Sequence, residues 1–423
     1  MSNTARNPRD VRMRGFASRT TVEDAWSWLD DAIQAKRSSL GTESIPIGNA
    51  AGRILASNVH SQVDVPMFDR AMMDGYALLA ADTSGASNYN RLRVSVIGES
   101  FPNVPFDDTV ATGTAVRIMT GSPMPKGADA VLPAERTESS DDSQSVELLG
   151  EVPSQKNIGF RGEDIKAGST VLHAGRRLRP QDIGLLSSIG CADVTVVASI
   201  KVRVVVTGNE LLPRGSVPTG YQIVDANGPM LSALVSRDGG VVVDDSIVPD
   251  NPTSIAEAMQ DDVDVVLVSG GSSVGQEDHA PRLLAEHGEL AIHGIAMRPS
   301  SPSGMGRLDG RLVFLLPGNP VSCLCSYDFF AGRAIRKLSG CQTDDRHWNY
   351  RSVRLPLARK IVSQVGRVDY ARVAIDNEKI VPIAISGASM LSSTTRADGF
   401  VIVPADCEGY APETEIEMFL YEG

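Results

Sequence analysis

Three stretches decide the architecture: IKVRVVVTGNE (200–210), VDVVLVSGGSSVG (263–275) and RLVFLLPGNPVS (311–322). Each begins as an aliphatic run and breaks off into glycine, asparagine or serine, the pattern of a strand buried on both faces that ends in a turn. Helix-like segments separate them: NGPMLSALVSR (227–237), PTSIAEAMQ (252–260), a stretch near 280–287, and a long one from Pro320 to Leu338. VVVDDSIV (241–248) and AIHGIAM (291–297) read as further strands. Strands alternating with helices need crossover connections, so residues 199–341 are expected to form a three-layer α/β domain with a mostly parallel sheet.

Outward from that region the periodicity changes. In TVEDAWSWLDDAIQAKRSSL (21–40), Val22, Ala25, Trp26, Leu29 and Ile33 recur at helical spacing behind Thr20 and Thr21 as caps. Residues 63–152 carry short β-type runs cut by Gly and Pro, a β-rich domain in which the polar SSDDSQS (139–145) marks a hairpin tip. The last eighty residues return to strands such as SVRLPLA, YARVAI, GFVIVPA and EIEMFLY, a small all-β module. The chain is therefore multidomain, α/β plus β.

Composition narrows the function. The 423 residues carry 40 basic and 52 acidic side chains, a net charge of −12, and only 5% aromatics. Such a chain repels phosphate backbones and lacks stacking platforms, so nucleic acid is excluded as a partner. No run of 18 apolar residues exists to span a membrane. Arg6, Arg9, Arg12, Arg14 and Arg19 have no apolar segment behind them and read as a disordered tail over residues 1–19, not a secretory signal. Cys191, Cys323, Cys325, Cys341 and Cys407 are odd in number and lack metal or redox spacing, which points to the cytoplasm.

In open α/β sheets ligands bind beyond the carboxyl ends of the strands, so the three turns after the decisive stretches are the first candidates. They hold Thr207, Gly208 and Glu210; Ser269, Gly270, Gly271, Ser272 and Gly275; and Pro317, Gly318, Asn319 and Pro320. The second is either a plain strand-to-helix turn or a cradle in which backbone N–H groups meet an anion. In the third, Asn319 reads as an N-cap with Pro320 at the first helical position, which would turn a helix's positive end to the same cleft. Between Asp238 and Glu286 there are eleven carboxylates and one basic residue, Arg282. Most must be solvated, but Glu210, Asp250 and Asp278 lie in or near the candidate turns. Carboxylates beside a phosphate call for a hard cation between them, so metal plus phosphate is the expectation. His279 reads as structural or solvated.

Six segments in order, FDRAMMDGYA (68–77), GTAVRIMTGSPMPKGADAV (113–131), RGEDI (161–165), TGNEL (207–211), SGGSSVG (269–275) and LPGNPVS (316–322), closely resemble the molybdopterin molybdenumtransferases, the MoeA family, which includes the C-terminal domain of gephyrin. The resemblance covers residues 20–423. It implies a homodimer whose subunit has a segmented elongated domain (20–62 and 153–198), a β-rich domain (63–152), an α/β molybdopterin-binding domain (199–341) and a C-terminal β-barrel-like domain (342–423). It also implies that adenylylated molybdopterin is hydrolysed with Mg2+ or Zn2+ and that molybdate is inserted, releasing AMP. Glu210, Asp250 and Asp278 then match positions at the metal and pterin phosphate, Pro317 and Pro320 shape the pterin-side loop, and Asp74, Thr120 and Asp164 face the cleft from the other subunit. A molybdopterin adenylyltransferase, and molybdoenzymes or their chaperones, are the implied partners.

Two departures stand out. Asn209 occupies the place of an aspartate in TGNEL, and RPSSP (298–302) replaces a K-P-G-K-P run, keeping a cation at Arg298 but putting Ser301 where a second lysine is usual. Two other readings compete: an adenylyltransferase acting on molybdopterin and ATP, against which the β-rich, RGEDI and C-terminal parts speak, and a non-catalytic dimeric scaffold. Glu210, Asp250 and Asp278 favour an enzyme, while Ser301 favours the scaffold.

Overall fold

The computed structural model describes residues 19–37, 40–141, 143–271, 279–340, 350–384 and 386–421, which divide into two compact units. Asp278, Ser272, Gly275 and residues 1–18 of the expected tail lie outside the described residues. No described helix is long and apolar enough to cross a membrane.

The larger unit comprises residues up to 43, 52–54 and 196 onward. Its seven-stranded sheet runs in the order Gly240–Asp244, Ile200–Thr207, Val265–Ser269, Arg311–Leu316, Gly304–Leu308, Glu289–His293, with the short Ile247–Val248 also on Ile200–Thr207. Pairings up to Arg311–Leu316 are parallel, and the last two are antiparallel. The sheet is thus mixed, with a hairpin at one edge that the apolar pattern alone does not announce. Its signal is Asp309-Gly310, both at positive φ, a two-residue turn joining GMGRL to RLVFLL.

Alternation along the central strands explains the layers. Val202, Val204, Val206, Val265, Leu267, Leu312, Phe314 and Leu316 face one side, where Val22–Arg37, Asn227–Arg237 and the long C-terminal helix bury Leu29, Leu231, Cys323 and Ile335 against them. Val205, Val266, Val268, Val313 and Leu315 face the other, covered by Pro252–Met259 and His279–His287 through Ile255, Met259, Leu283 and Leu284. With both faces dry, the strands can be continuously aliphatic. The long helix spans Pro320 to Leu338, but its middle, Tyr327–Ala331, is wound as a π turn. Thr21 caps the first helix through its Oγ1, which accepts from Asp24 N at 3.0 Å. In the C-terminal part a six-stranded sheet has the order Met297–Arg298, Val368–Asp376, Gly399–Val403, Glu415–Leu420, Ser352–Pro356, with Lys379–Ala384 beside Val368–Asp376.

The other unit, residues 44–51 and 55–195, is built on a six-stranded sheet ordered Ala130–Pro133, Gly75–Leu78, Thr114–Ile118, Leu92–Ser100, Ser145–Leu148, Thr137–Ser139. The last two strands are the antiparallel arms on either side of the polar 139–145 segment. Arg70–Ala71 pairs with Ile158–Gly159, and Val59–His60 with Thr170–Leu172, so residues before and after the sheet fold back on each other.

Candidate functional site

The parallel order places the carboxyl ends of Ile200–Thr207, Val265–Ser269 and Arg311–Leu316 side by side, so the turns holding Thr207 to Glu210, Ser269 to Gly271 and Pro317 to Pro320 converge. They meet backbone to backbone. A Cβ on Gly270 would sit 2.3 Å from the Thr207 carbonyl oxygen, and one on Gly318 would sit 3.6 Å from Gly270 Cα. Gly270 has φ +99° and Gly271 +55°, the left-handed region open to glycine without strain.

Around this contact the polar groups are ordered. The buried Thr207 donates its Oγ1 proton to Asp250 Oδ1 at 2.9 Å. The Glu210 carboxylate folds back over Gly208, both oxygens 3.0 Å from where a Cβ on that glycine would lie. The geometry therefore gathers Thr207, Gly208, Glu210, Asp250, Ser269, Gly270, Gly271 and Gly318. Asn319 stands at the N-cap position of the long helix and Pro320 at its first, yet the Asn319 side chain makes no cap bond; its carbonyl accepts from Cys323 N instead.

Two residues absent from the sequence reading complete this edge. Asp225 precedes Asn227–Arg237, and its Oδ1 accepts from Asn227 N at 2.9 Å and Gly228 N at 3.0 Å, satisfying two N–H groups that a helix start leaves over. Asn227, 8% exposed, donates from Nδ2 to Ser269 Oγ at 2.9 Å and to the Gly318 carbonyl at 2.8 Å. The signal was present: an Asp-x-Asn immediately before a helical period is capping chemistry. Ser269 Oγ also lies 3.7 Å from Cys323 Sγ, and burial pushes that thiol up to about 12, which keeps it protonated and unreactive.

A second polar cluster lies at the same helix start. Ser300 Oγ donates to the Ser322 carbonyl and bonds Cys325, whose thiol is also in the field of Arg372 and Asp369. Arg298, the cation kept in the RPSSP run, donates from Nη2 to Asp369, a fully buried carboxylate that also accepts from Ser363 Oγ at 2.8 Å and Arg367 Nε at 3.1 Å. Its Nε is buried without a partner, as is Ser301 Oγ. Arg372, another residue the sequence reading missed, is 0% exposed; its Nη2 donates to the Ser386 carbonyl while Nε and Nη1 are buried without partners. A buried, half-bonded guanidinium is costly unless an anion joins it.

In the smaller unit, Asp74 Oδ1 accepts from Thr120 N at 2.7 Å and from Thr120 Oγ1 at 2.9 Å, so the structure brings these two candidates together. The Thr120 N–H first, and its hydroxyl second, hold the Asp74 carboxyl below the usual carboxylate range. Met72, Met73 and Met119 beside them are exposed. Asp164 lies in the neighbouring 160–165 turn, its N–H bonded to Val65 O at 3.1 Å, and no described side chain joins it to Asp74.

Residues 20–190 match the MoeA N-terminal region (domain I and II), 203–337 a probable molybdopterin binding domain, and 354–421 the MoeA C-terminal region (domain IV). The chain is 30% identical over 415 residues to a putative molybdopterin biosynthesis protein of Methanocaldococcus jannaschii, covering 96% of each. It is 32% identical over 371 residues to a molybdopterin molybdenumtransferase of Haemophilus influenzae, 86% of this chain and 89% of that one. A crystal structure of the molybdopterin biosynthesis MoeA protein from Pyrococcus horikoshii OT3 superposes with a TM-score of 0.78 at 31% identity, covering 96% of this chain and all of that one.

Proposed function

The chain belongs to the MoeA family, and from that premise we propose that it is a molybdopterin molybdenumtransferase that takes adenylylated molybdopterin, cleaves its phosphoanhydride and inserts molybdate, releasing AMP. The observation that carries this reading is the convergence of Thr207, Ser269, Gly270, Gly271 and Gly318 beside the carboxylates of Glu210 and Asp250. Such an edge offers main-chain N–H groups to phosphate oxygens. Ser269 Oγ accepts from Asn227 Nδ2 and is hydrogen-bonded to Cys323 Sγ, which fixes the end of its strand at this edge.

Glu210 and Asp250 are hard oxygen donors and suit Mg2+ better than Zn2+, which favours nitrogen and sulfur. In this reading Asp278, eight residues after Gly270 in the sequence, is assigned as the third ligand; among the described residues no three metal-binding side chains converge. A cation held by Glu210, Asp250 and Asp278 would neutralise charge at the phosphoanhydride. Thr207, bonded to Asp250, fixes one oxygen of that carboxylate and so orients the other.

For the oxyanion we assign the second cluster. Arg372 offers Nε and Nη1, both without partners, and Ser301 an unused hydroxyl; charge-assisted hydrogen bonds from a guanidinium to an oxyanion are the strong ones. Arg298, engaged by Asp369, supports this wall. Asp74, Thr120 and Asp164 are proposed to act from the second copy of a homodimer. A cytoplasmic place of action, with a molybdopterin adenylyltransferase upstream and molybdoenzymes or their chaperones downstream, belongs to the same reading.

The test is direct. Purified protein with adenylylated molybdopterin, molybdate and Mg2+ should release AMP, and Glu210→Gln should not. AMP release equal in wild type and variant would remove Glu210 from the site. Formation of adenylylated product from molybdopterin and ATP would replace the transferase reading by the adenylyltransferase one.

A further inference from the structure

We infer that Asn227 is a positioning residue: one side-chain amide that clasps the two ligand turns, Ser269 to Gly271 and Pro317 to Asn319, and sets the spacing between them. The inference rests on the ligand-cradle reading above. Its geometry does not. The Gly318 carbonyl can only accept, so the group facing it must be Nδ2, which removes the usual ambiguity of an amide flip. That same nitrogen bonds Ser269 Oγ, so its two hydrogens serve one turn each. With N···O distances of 2.8 and 2.9 Å and a planar amide, the two acceptors are held about 5 Å apart.

The side chain is held where it can do this. Asp225 binds the main-chain N–H of Asn227 and of Gly228, which fixes the start of the helix and with it the Asn227 Cα. The clasp is buried, Asn227 being 8% and Ser269 1% exposed, so water does not compete for either bond. Asn227 Oδ1 is itself buried without a partner. A buried polar acceptor left unpaired is a cost that a residue chosen only for packing would avoid. The structure retains it because the nitrogen end does the joining.

The experiment uses the full chain and AMP as the probe, with two readouts: calorimetric affinity for AMP, and amide hydrogen exchange of peptides ending at the two turns. In Asn227→Ala the Asp225 cap persists, since it binds the main chain, and alanine is the better helix former. Exchange at Gly270 and Gly318 should rise at least tenfold with the flanking strands unchanged, and AMP affinity should fall about tenfold to a hundredfold. Ser269→Ala should cost less, and the double variant no more than Asn227→Ala alone, because both act through one bond. Should Asn227→Ala fold poorly, Asn227→Ser, which keeps one short donor, should give the intermediate effect. Faster exchange with unaltered AMP affinity would reduce Asn227 to a structural residue, and unaltered exchange would remove the clasp altogether. Wild-type protein that fails to bind AMP, yet shows the exchange change in the variant, would overturn the cradle reading and leave the clasp standing.

Discussion

Replacing Gly270 by alanine should damage this protein far more than the same change at Gly271, although the two are neighbours in one turn. At Gly270, with φ +99°, a side chain costs about 1–2 kcal/mol in the backbone alone. The added Cβ would also lie 2.3 Å from the Thr207 carbonyl oxygen and 3.4 Å from its carbon. That neighbour is main chain at the end of a central strand and cannot rotate away, so overpacking adds roughly 1–3 kcal/mol. The sum is about 2–5 kcal/mol. At Gly271, φ is +55° and the nearest atoms are Thr207 Cγ2 at 3.7 Å and His279 N at 3.9 Å, ordinary contact distances; only the backbone cost of about 1 kcal/mol applies. Thermal unfolding followed by calorimetry should show the transition of the larger unit lowered by roughly 4–20 °C in Gly270→Ala and by a few degrees in Gly271→Ala. Pushing Thr207 aside also disturbs its bond to Asp250, so AMP release should fall with stability in Gly270→Ala. Equal losses in the two variants, or a Gly270→Ala midpoint within a degree of wild type, would refute the packing argument.

Other expectations are shorter to state. Burial alone would raise the Asp182 carboxyl, but bonds from Arg176, Arg179 and the Arg179 N–H outweigh it and hold that carboxyl well below the usual range. Because its folded value is depressed, the stabilisation is complete above an unfolded value of about 3.9 and fades as the pH drops below it. Asp182→Asn should thus cost about 2 kcal/mol at neutral pH, with denaturation curves of variant and wild type converging toward pH ~2. Arg372→Ala should raise the molybdate concentration for half-maximal cofactor formation by roughly tenfold or more, whereas Ser301→Lys should lower it; if neither titration moves, the oxyanion lies elsewhere. Co-refolded Asp74→Ala and Glu210→Ala subunits should recover up to about half of wild-type AMP release per heterodimer, and a mixture that stays silent despite verified exchange would place both residues in one chain's site.

Much of this molecule can be read from residue order because burial on both sides leaves a strand no choice but to be aliphatic. Val265 to Val268 and Leu312 to Leu316 announce themselves, as does the helix beginning at Pro320. The hairpin at Asp309-Gly310 escapes an apolar reading because GMGRL has two glycines facing neighbouring backbone, so its strand character lies in contacts and not in its side chains. The site divides similarly. Thr207, Glu210 and Ser269 to Gly271 betray themselves as turn chemistry after strands. Asp225 and Asn227 look like ordinary helix caps, and their second task, joining turns 42 and 91 residues away, exists only in three dimensions. Arg372 is hidden for the opposite reason: a charged residue in a strand is taken as solvent-facing, and only the fold shows it to be enclosed.

The two dry faces of the central strands have a consequence for how such a protein can change over generations. Adding or deleting a single residue inside Ile200–Thr207, Val265–Ser269 or Arg311–Leu316 would exchange every later side chain of that strand between the two faces and swing the terminal turn by half a rotation. Insertions are therefore admissible only in the crossovers, where length is cheap. Three turns are locked to three rulers of fixed phase, and any drift toward a new ligand must come by exchanging letters within those turns, as at Asn209 and Ser301, and not by lengthening the strands that carry them.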